Sequence, residues 1–190
     1  MSTCLSEGEL AAMGLRHGAS PRVSRKASLH GADRIVLGDH VRIDDFCVLS
    51  AGTGGIEIGR HVHVAVFTSL IGRGRIAIGD YANLSSRVSV YSSSDDYSGD
   101  WMTNPTVPEA FTRVEHADVS IGPHVIVGAG CVVLPGVQIG DGCAIGAMSL
   151  VRASCPPFTM HAGIPARLIG ERSRRCLALA AAFEDGRTFP

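Results

Sequence analysis

Aromatic residues, excess charge and long apolar runs are all scarce in this 190-residue sequence. Aromatics make up 5% of it, with a single Trp, so any core must be aliphatic. The formal charge of −1 argues against general nucleic-acid binding and against a polybasic membrane surface. No apolar run approaches the ~18 residues of a membrane span, and the first residues carry no signal-peptide pattern. The expectation is a soluble, cytoplasmic chain without membrane insertion. Six Cys without an export signal imply reduced thiols rather than a disulfide framework.

Aliphatic residues and glycine are plentiful instead. Hydrophobic residues are 45% of the chain, and there are 23 Gly without a collagen period. The length fits one domain with small end pieces.

The dominant signal is a six-residue repeat. Stepping by six from Ile121 gives Val127, Val133, Ile139, Ile145 and Val151, all β-branched aliphatics. Four residues after each stands a small or medium side chain: Val125, Cys131, Val137, Cys143, Ser149 and Cys155. Gly follows the aliphatic residue at 122, 128, 140 and 146. The same phase runs upstream through Leu37, Ile43 and Leu49, then Ile58, Val64 and Leu70, then Ile78, Leu84 and Val90. Val23 and Leu29 mark a degraded earlier coil. Three hexads close one coil, so the chain holds five regular coils and a degraded sixth.

Six residues are too few for a helical repeat and too regular for a sandwich. Each hexad can form one short strand and a tight turn, with the fifth residue inward, the sixth outward and the next aliphatic residue inward. Glycine is expected at the corners, where unusual backbone angles cost it little. Coils stacked at ~4.8 Å build a triangular prism. Its ends need covers. Ser6-Glu7-Gly8-Glu9 reads as a capping box with Leu5 and Leu10 as a staple, which predicts a helix over about Ser6 to Met13. A second helix is predicted over Glu171 to Phe183, covering the other end or a neighbouring subunit. The expected division is a helical cap over 1–22, the prism over 23–157 and a C-terminal extension over 158–190. About 25 extra residues separate the third regular coil from the coil at Ile121, and most of them form a long loop over roughly 95–117. Loops of that length inside a compact domain are usually functional.

HVRIDDFCVLS (40–50), IEIGRHVHVAVFTSLIG (56–72), YSSSDDYSGD (91–100), NPTVP (104–108), VIVGAGCVVLPGV (125–137), AIGAMSLV (144–151) and AGIPAR (162–167) carry a resemblance that extends over nearly the whole chain. The sequence resembles the hexapeptide-repeat acyltransferases, in the branch that acetylates sugars and nucleotide-linked amino sugars. It is similar to dTDP-4-amino-4,6-dideoxyglucose N-acetyltransferases and to galactoside O-acetyltransferase-like proteins. The resemblance implies an all-β, left-handed parallel β-helix, a homotrimer and acetyl-CoA as co-substrate. It implies backbone contacts to the thioester end at Ala129 and to the pantetheine arm at Ala147, beside Gly128 and Gly146. Arg167 matches a basic residue near the 3′-phosphate. A Lys common in relatives is replaced here by Ala153, with Arg152 adjacent. The long loop would wall the acceptor pocket toward the next subunit, and Asp44, Tyr97, Trp101 and Asn104 are the acceptor-binding candidates.

Acetyl transfer needs a positioned thioester, a donor for its oxyanion and a departing thiolate. A sugar hydroxyl needs a general base in addition, whereas a neutral sugar amine does not. Galactoside-type relatives place a catalytic His just after the third coil, where this sequence has Asp95. A carboxylate is the poorer base near neutral pH, so the exchange favours an amine acceptor. His63, at an outward sixth position, is the other candidate base, able to meet Asp95 or Asp96 of another chain. Three readings stay open at this point. They are N-acetylation of a dTDP-linked amino sugar for surface polysaccharide or O-antigen, O-acetylation of a sugar through His63, and a non-catalytic or zinc-dependent hydratase role. Cys131, Cys143 and Cys155 fall on different prism faces and point inward, so no metal site is expected. His40, His61 and His124 should form a loose corner column that Tyr81 interrupts.

Overall fold

A computed structural model gives the architecture and describes residues 3–187. Three sheets of six, eight and six strands, parallel except for the last strand of the eight, form the walls of a left-handed β-helix. The first coil is Arg16–His17, Arg22–Val23 and Ser28–His30. The degraded coil marked by Val23 and Leu29 is therefore complete, with His17 in register with Leu37 where an aliphatic residue would stand. Five further coils follow, and each strand pairs with its counterpart one coil away.

The alternation predicted from the hexads is present. Ile56 and Ile58 are buried on either side of exposed Glu57. In register they stack Ile35 on Ile56, Ile56 on Ile76 and Ile76 on Val119. Val23, Ile43, Val64, Leu84, Val127 and Ile145 form the equivalent ladder on the second face. All six are at most 3% exposed. Each fully buried aliphatic side chain contributes about 1.5–3 kcal/mol relative to exposure. Cys131, Cys143 and Cys155 are buried in this core.

Gly130, Gly136 and Gly142, fourth in their hexads, take the positive φ expected of a corner, but the glycines that follow the aliphatic residue serve a different purpose. None of those at 122, 128, 140 and 146 has positive φ. A Cβ on Gly128 would lie 2.5 Å from the Ala147 amide nitrogen, and one on Gly140 2.6 Å from that of Pro157. Close approach of successive coils excludes a side chain there. The left-handed turn residues are the fourth of their hexads, such as His61 (φ 55°) and Tyr81 (φ 60°) at one corner and Phe67 (φ 62°) at another. At the first of these corners the rings stack. Centroids lie 4.8 Å apart for His40–His61, 5.2 Å for His61–Tyr81 and 5.0 Å for Tyr81–His124. Tyr81 continues the column rather than interrupting it, because an aromatic ring stacks as well as an imidazole.

Helix α1 (Glu7–Ala12) has the expected capping box, with Ser6 and Glu9 bonding reciprocally. At the other end Thr159–Gly163 adds to the second face and turns back as the antiparallel strand Ala166–Glu171. Helix α2 spans Arg175–Glu184. It starts later than Glu171 because that residue pairs with Thr159. It lies along the stacked corner, where Phe183 meets the rings of His61 and Tyr81 edge-on. Glu184 there accepts from Tyr81 at 2.6 Å and pairs with Arg60 at 2.7 Å. Among the described residues no helix is long and apolar enough to cross a membrane.

The 95–117 insertion leaves the third face and is ordered. Ser93–Ser94 pairs antiparallel with Glu115–His116, and Glu109–Phe111 forms a 3-10 turn.

Candidate active site

The sixth position of the hexad points outward, so stacking places Arg42, His63 and Asn83 in register on the second face. Asp44 follows Ile43 on the same surface. Its Oδ2 lies 2.8 Å from His63 Nε2, and its Oδ1 accepts from Arg42 Nε at 2.7 Å. The other ring nitrogen, His63 Nδ1, lies 3.0 Å from Asn83 Oδ1. Partial burial pushes the Asp44 carboxyl up, but the bonds from His63 and Arg42 outweigh it and hold it below the usual carboxylate value. Asp44 is therefore an acceptor only, and Nε2 must carry a proton toward it. The remaining nitrogen faces the Asn83 amide, which donates to a neutral ring or accepts from a charged one. Neither arrangement leaves a free lone pair for an incoming hydroxyl.

Asp95 is exposed at the base of the insertion, on the far side of the third face from His63. Within one protomer the two are not brought together. Asp95 borders two clefts. One, of about 370 Å³, is shared with Tyr91, Tyr97 and Leu134. The other, of about 770 Å³, is shared with Arg73, Asn104 and Arg113. Its carboxylate has no hydrogen-bond partner among the described residues. Asp96 differs, for it accepts from Ser98 Oγ at 2.9 Å and from the Gly99 amide at 3.1 Å. These bonds, that from Ser98 foremost, hold its carboxyl below the ordinary value and shape the loop. Asn104 likewise accepts from Thr106 through both its amide and its hydroxyl. Tyr97 is 93% exposed and Trp101 42%.

The second and third faces meet at a corner where Ser86, Ala129 and Ala147 occupy successive coils. Gly130 donates to Ser86 O at 3.0 Å and Met148 to Ala129 O at 2.8 Å, which fixes this stacking. Ala129 and Ala147 are exposed. Their own amides have no acceptor among the described residues. Gly128 and Gly146 precede them, and a Cβ on Gly146 would lie 3.0 Å from Ala162 Cβ. Ala162 pairs in turn with Arg167 across the hairpin. A track of small side chains thus leads along the axis from Ser86 to an exposed arginine. Arg152 is not part of it, since it follows Leu150–Val151 on the third face.

The register also brings in residues that sequence reasoning passed over. Asn83 stands 20 residues after His63, one coil's length with its two extra residues, and aligning the coils would have exposed it. Among the described residues no group of three or more His, Cys, Asp or Glu side chains is placed to hold a metal.

Comparison with known proteins is consistent along the chain. A family model described as bacterial transferase hexapeptide (six repeats) matches residues 118–153. The chain is 50% identical over 181 residues to the dTDP-4-amino-4,6-dideoxy-D-glucose acyltransferase of Escherichia coli, covering 95% of this chain and 94% of that one. Galactoside O-acetyltransferase of Escherichia coli K12 is 26% identical over 84% of this chain and 74% of its own length. Among solved structures, AntD, an N-acyltransferase from Bacillus cereus, matches as a serine-to-cysteine variant in complex with dTDP-4-amino-4,6-dideoxyglucose and coenzyme A. The TM-score is 0.92 at 38% identity, covering 98% of this chain and 99% of that one. AntD in complex with dTDP and 3-hydroxybutyryl-CoA matches with the same TM-score and identity.

Proposed function

From the premise that this chain belongs to the hexapeptide-repeat acyltransferases, we propose that it acetylates the 4-amino group of dTDP-4-amino-4,6-dideoxyglucose, as a homotrimer, for surface polysaccharide such as O-antigen. The coarser activity is acyl-CoA-dependent N-acylation of a nucleotide-linked amino sugar. The same reading makes it a cytoplasmic enzyme.

The observation that carries the reading is the Ala129–Ala147 corner. It offers two amides without an acceptor among the described residues, one coil apart at ~4.8 Å, each on a residue whose own side chain is a single methyl group. A pantetheine arm needs such close backbone access, and Arg167 stands at the far end for the 3′-phosphate. Gly128 and Gly146 allow the coils to approach closely enough to form it.

The chemistry follows from this placement. The neutral amine attacks the thioester carbonyl carbon, and the new C–N bond forms as the carbonyl oxygen gains charge. The Ala129 amide donates to that oxyanion. The C–S bond then breaks, and the departing thiolate takes up the proton that the nitrogen loses. Asp95, whose carboxylate has no partner among the described residues, binds the incoming ammonium, takes its excess proton before attack and passes it to solvent, which leaves the neutral amine. In a trimer the insertion of one subunit brings Asp95, Tyr97, Trp101 and Asn104 to the second face of the next, where Asp44 and His63 stand. O-transfer is the weaker reading, because it requires a base and both His63 nitrogens are engaged.

The test is an assay of dTDP- and UDP-linked amino sugars with acetyl-CoA, following thiol release. The expected result is fastest release with dTDP-4-amino-4,6-dideoxyglucose. No release with any amine, or faster release with a hydroxyl acceptor, overturns the reading.

A further inference from the structure

The inward ladder of the second face, aliphatic from Val23 to Ile145, ends in an imidazole. His161 stands in register with Ile145 and is 8% exposed. Its neighbour fixes where its proton sits. Thr159 Oγ1 donates to Pro156 O at 2.6 Å, so the hydroxyl has no second hydrogen to give. His161 Nε2, 2.9 Å from that oxygen, is therefore the donor. Nδ1 has no partner among the described residues. The neutral ring completes this bond, and a second proton on Nδ1 would gain none within the fold. Burial accordingly pushes the pKa of His161 below the ordinary imidazole value.

The surrounding elements hold no partner for a charged ring. The Cys143 thiol donates to Pro156 O at 2.7 Å. Burial raises the Cys155 thiol to about 11, so it stays neutral. Arg172 gives Nη1 to the carbonyls of His124, Gly142 and Cys143. Arg167 and Glu171, on the returning strand, are exposed. Among the described residues no carboxylate bonds the imidazole.

The segment around this ring is tied to the corner assigned to the pantetheine arm. The His161 carbonyl accepts from the Gly146 amide at 2.8 Å. Two residues on, the Gly163 amide donates to Ser149 Oγ at 3.0 Å, and that hydroxyl donates to Gly146 O at 2.6 Å. Gly146 is thus bonded through both its amide and its carbonyl to the strand that turns back to Arg167. Ala147 follows it directly.

We propose that His161 is a positioning residue for acyl-CoA, whose neutral ring pins the Arg167 hairpin to the Gly146–Ala147 corner and whose protonation loosens it. This rests on acyl-CoA occupying that corner. The docked hairpin disfavours the charged ring. Docking is therefore complete above the ordinary imidazole value, about 6.5, and weakens as pH falls below it.

The experiment is calorimetric titration of the full-length enzyme with acetyl-CoA between about pH 7.5 and 5.5, the range in which imidazole changes charge. It compares wild type, His161→Gln and His161→Leu, with melting temperatures at each pH to establish folding. Glutamine keeps an N–H for Thr159 and does not titrate, and leucine continues the apolar ladder. Ionisation of acetyl-CoA itself is common to all three proteins. Wild type should lose at least about threefold more affinity over this range than either variant, and His161→Gln should match wild type at the upper end. Hydrogen-exchange protection of the Gly146 and Gly163 amides, corrected for intrinsic rates, should fall with acid in wild type alone. An equal acid loss in wild type and His161→Gln overturns the role, as does protection of both amides in wild type that acid leaves unchanged. Acid-sensitive binding that the variants abolish, with no thiol release from any amino sugar, overturns the proposed reaction and leaves this role standing. Amino-sugar acetylation by variants as acid-sensitive as wild type overturns the role alone.

Discussion

His63 and Asp44 are joined by a 2.8 Å contact between Nε2 and Oδ2, across two neighbouring coils. Asn83 on the next coil takes the opposite ring nitrogen at 3.0 Å. The imidazole is thus a rung between two polar side chains, and its orientation is set from both sides. A general base needs a lone pair aimed at the acceptor, and a ring so held has none to offer without losing one of these bonds.

His63→Ala should therefore lower kcat/KM for N-acylation by less than about tenfold, since loss of a general base costs roughly 100- to 10,000-fold. His63→Gln, which can still bridge Asp44 and Asn83, should recover part of that loss. Thiol-release kinetics with both variants decide the matter. A collapse of turnover in both, with acceptor KM unchanged, would restore the imidazole as a base.

Asp95 stands apart from that network, exposed and without a partner among the described residues. Asp95→Asn keeps its shape and removes its charge. It should reduce turnover more than about tenfold by weakening contact with the ammonium and the proton relay, a charge-assisted bond being about twice as strong as a neutral one. Acetyl-CoA affinity should not change, because Asp95 lies off the Ala129–Ala147 corner. Wild-type kinetics in this variant would remove Asp95 from the reaction.

The hexad period made the prism legible because inward and outward positions follow from alternation, and stacking repeats each choice. The insertion was legible only as a break. Its internal form depends on side chain to backbone bonds such as those of Asp96 and Asn104, which no period announces. Turn geometry suggests positive φ for every glycine and holds at Gly130, Gly136 and Gly142, whereas at Gly122, Gly128 and Gly140 the constraint is the neighbouring coil's backbone. The position of α2 was hidden for a related reason. It depends on a ring column that forms only after the coils are in register.

Gly140 offers a test of that constraint away from the proposed site. A Cβ there would meet the Pro157 nitrogen at 2.6 Å, and neither backbone can retreat without opening the stack. Gly140→Ala should destabilise the protein by about 1–3 kcal/mol, at roughly 2–4 °C of melting temperature per kcal/mol for a chain of this size. The acetyl-CoA KM should be unaltered at temperatures where the variant is folded. A melting temperature equal to wild type would show that the coils are not closed on one another as described.

Glu9 gives the N-terminal cap an acid limit. Its carboxylate accepts from both Nη groups of Arg25 at 2.8 Å and from the Ser6 amide and hydroxyl. The Arg25 bonds foremost, then those from Ser6, lower its pKa to about 2. In the unfolded chain the same group titrates near about 4.3. A carboxyl lowered by folding stabilises the folded state above its unfolded value and loses that contribution as pH falls toward its folded one. Docking of α1 should therefore weaken between about pH 4.3 and 2, while the stacked coils, held by apolar burial, stay protected. Hydrogen exchange at the Leu10 and Met13 amides, which bond back to Ser6 and Glu9, reports the change. In Glu9→Gln the same amides should exchange faster at neutral pH and show no further acid dependence in that window. An identical acid response in wild type and variant would mean that another group governs the cap.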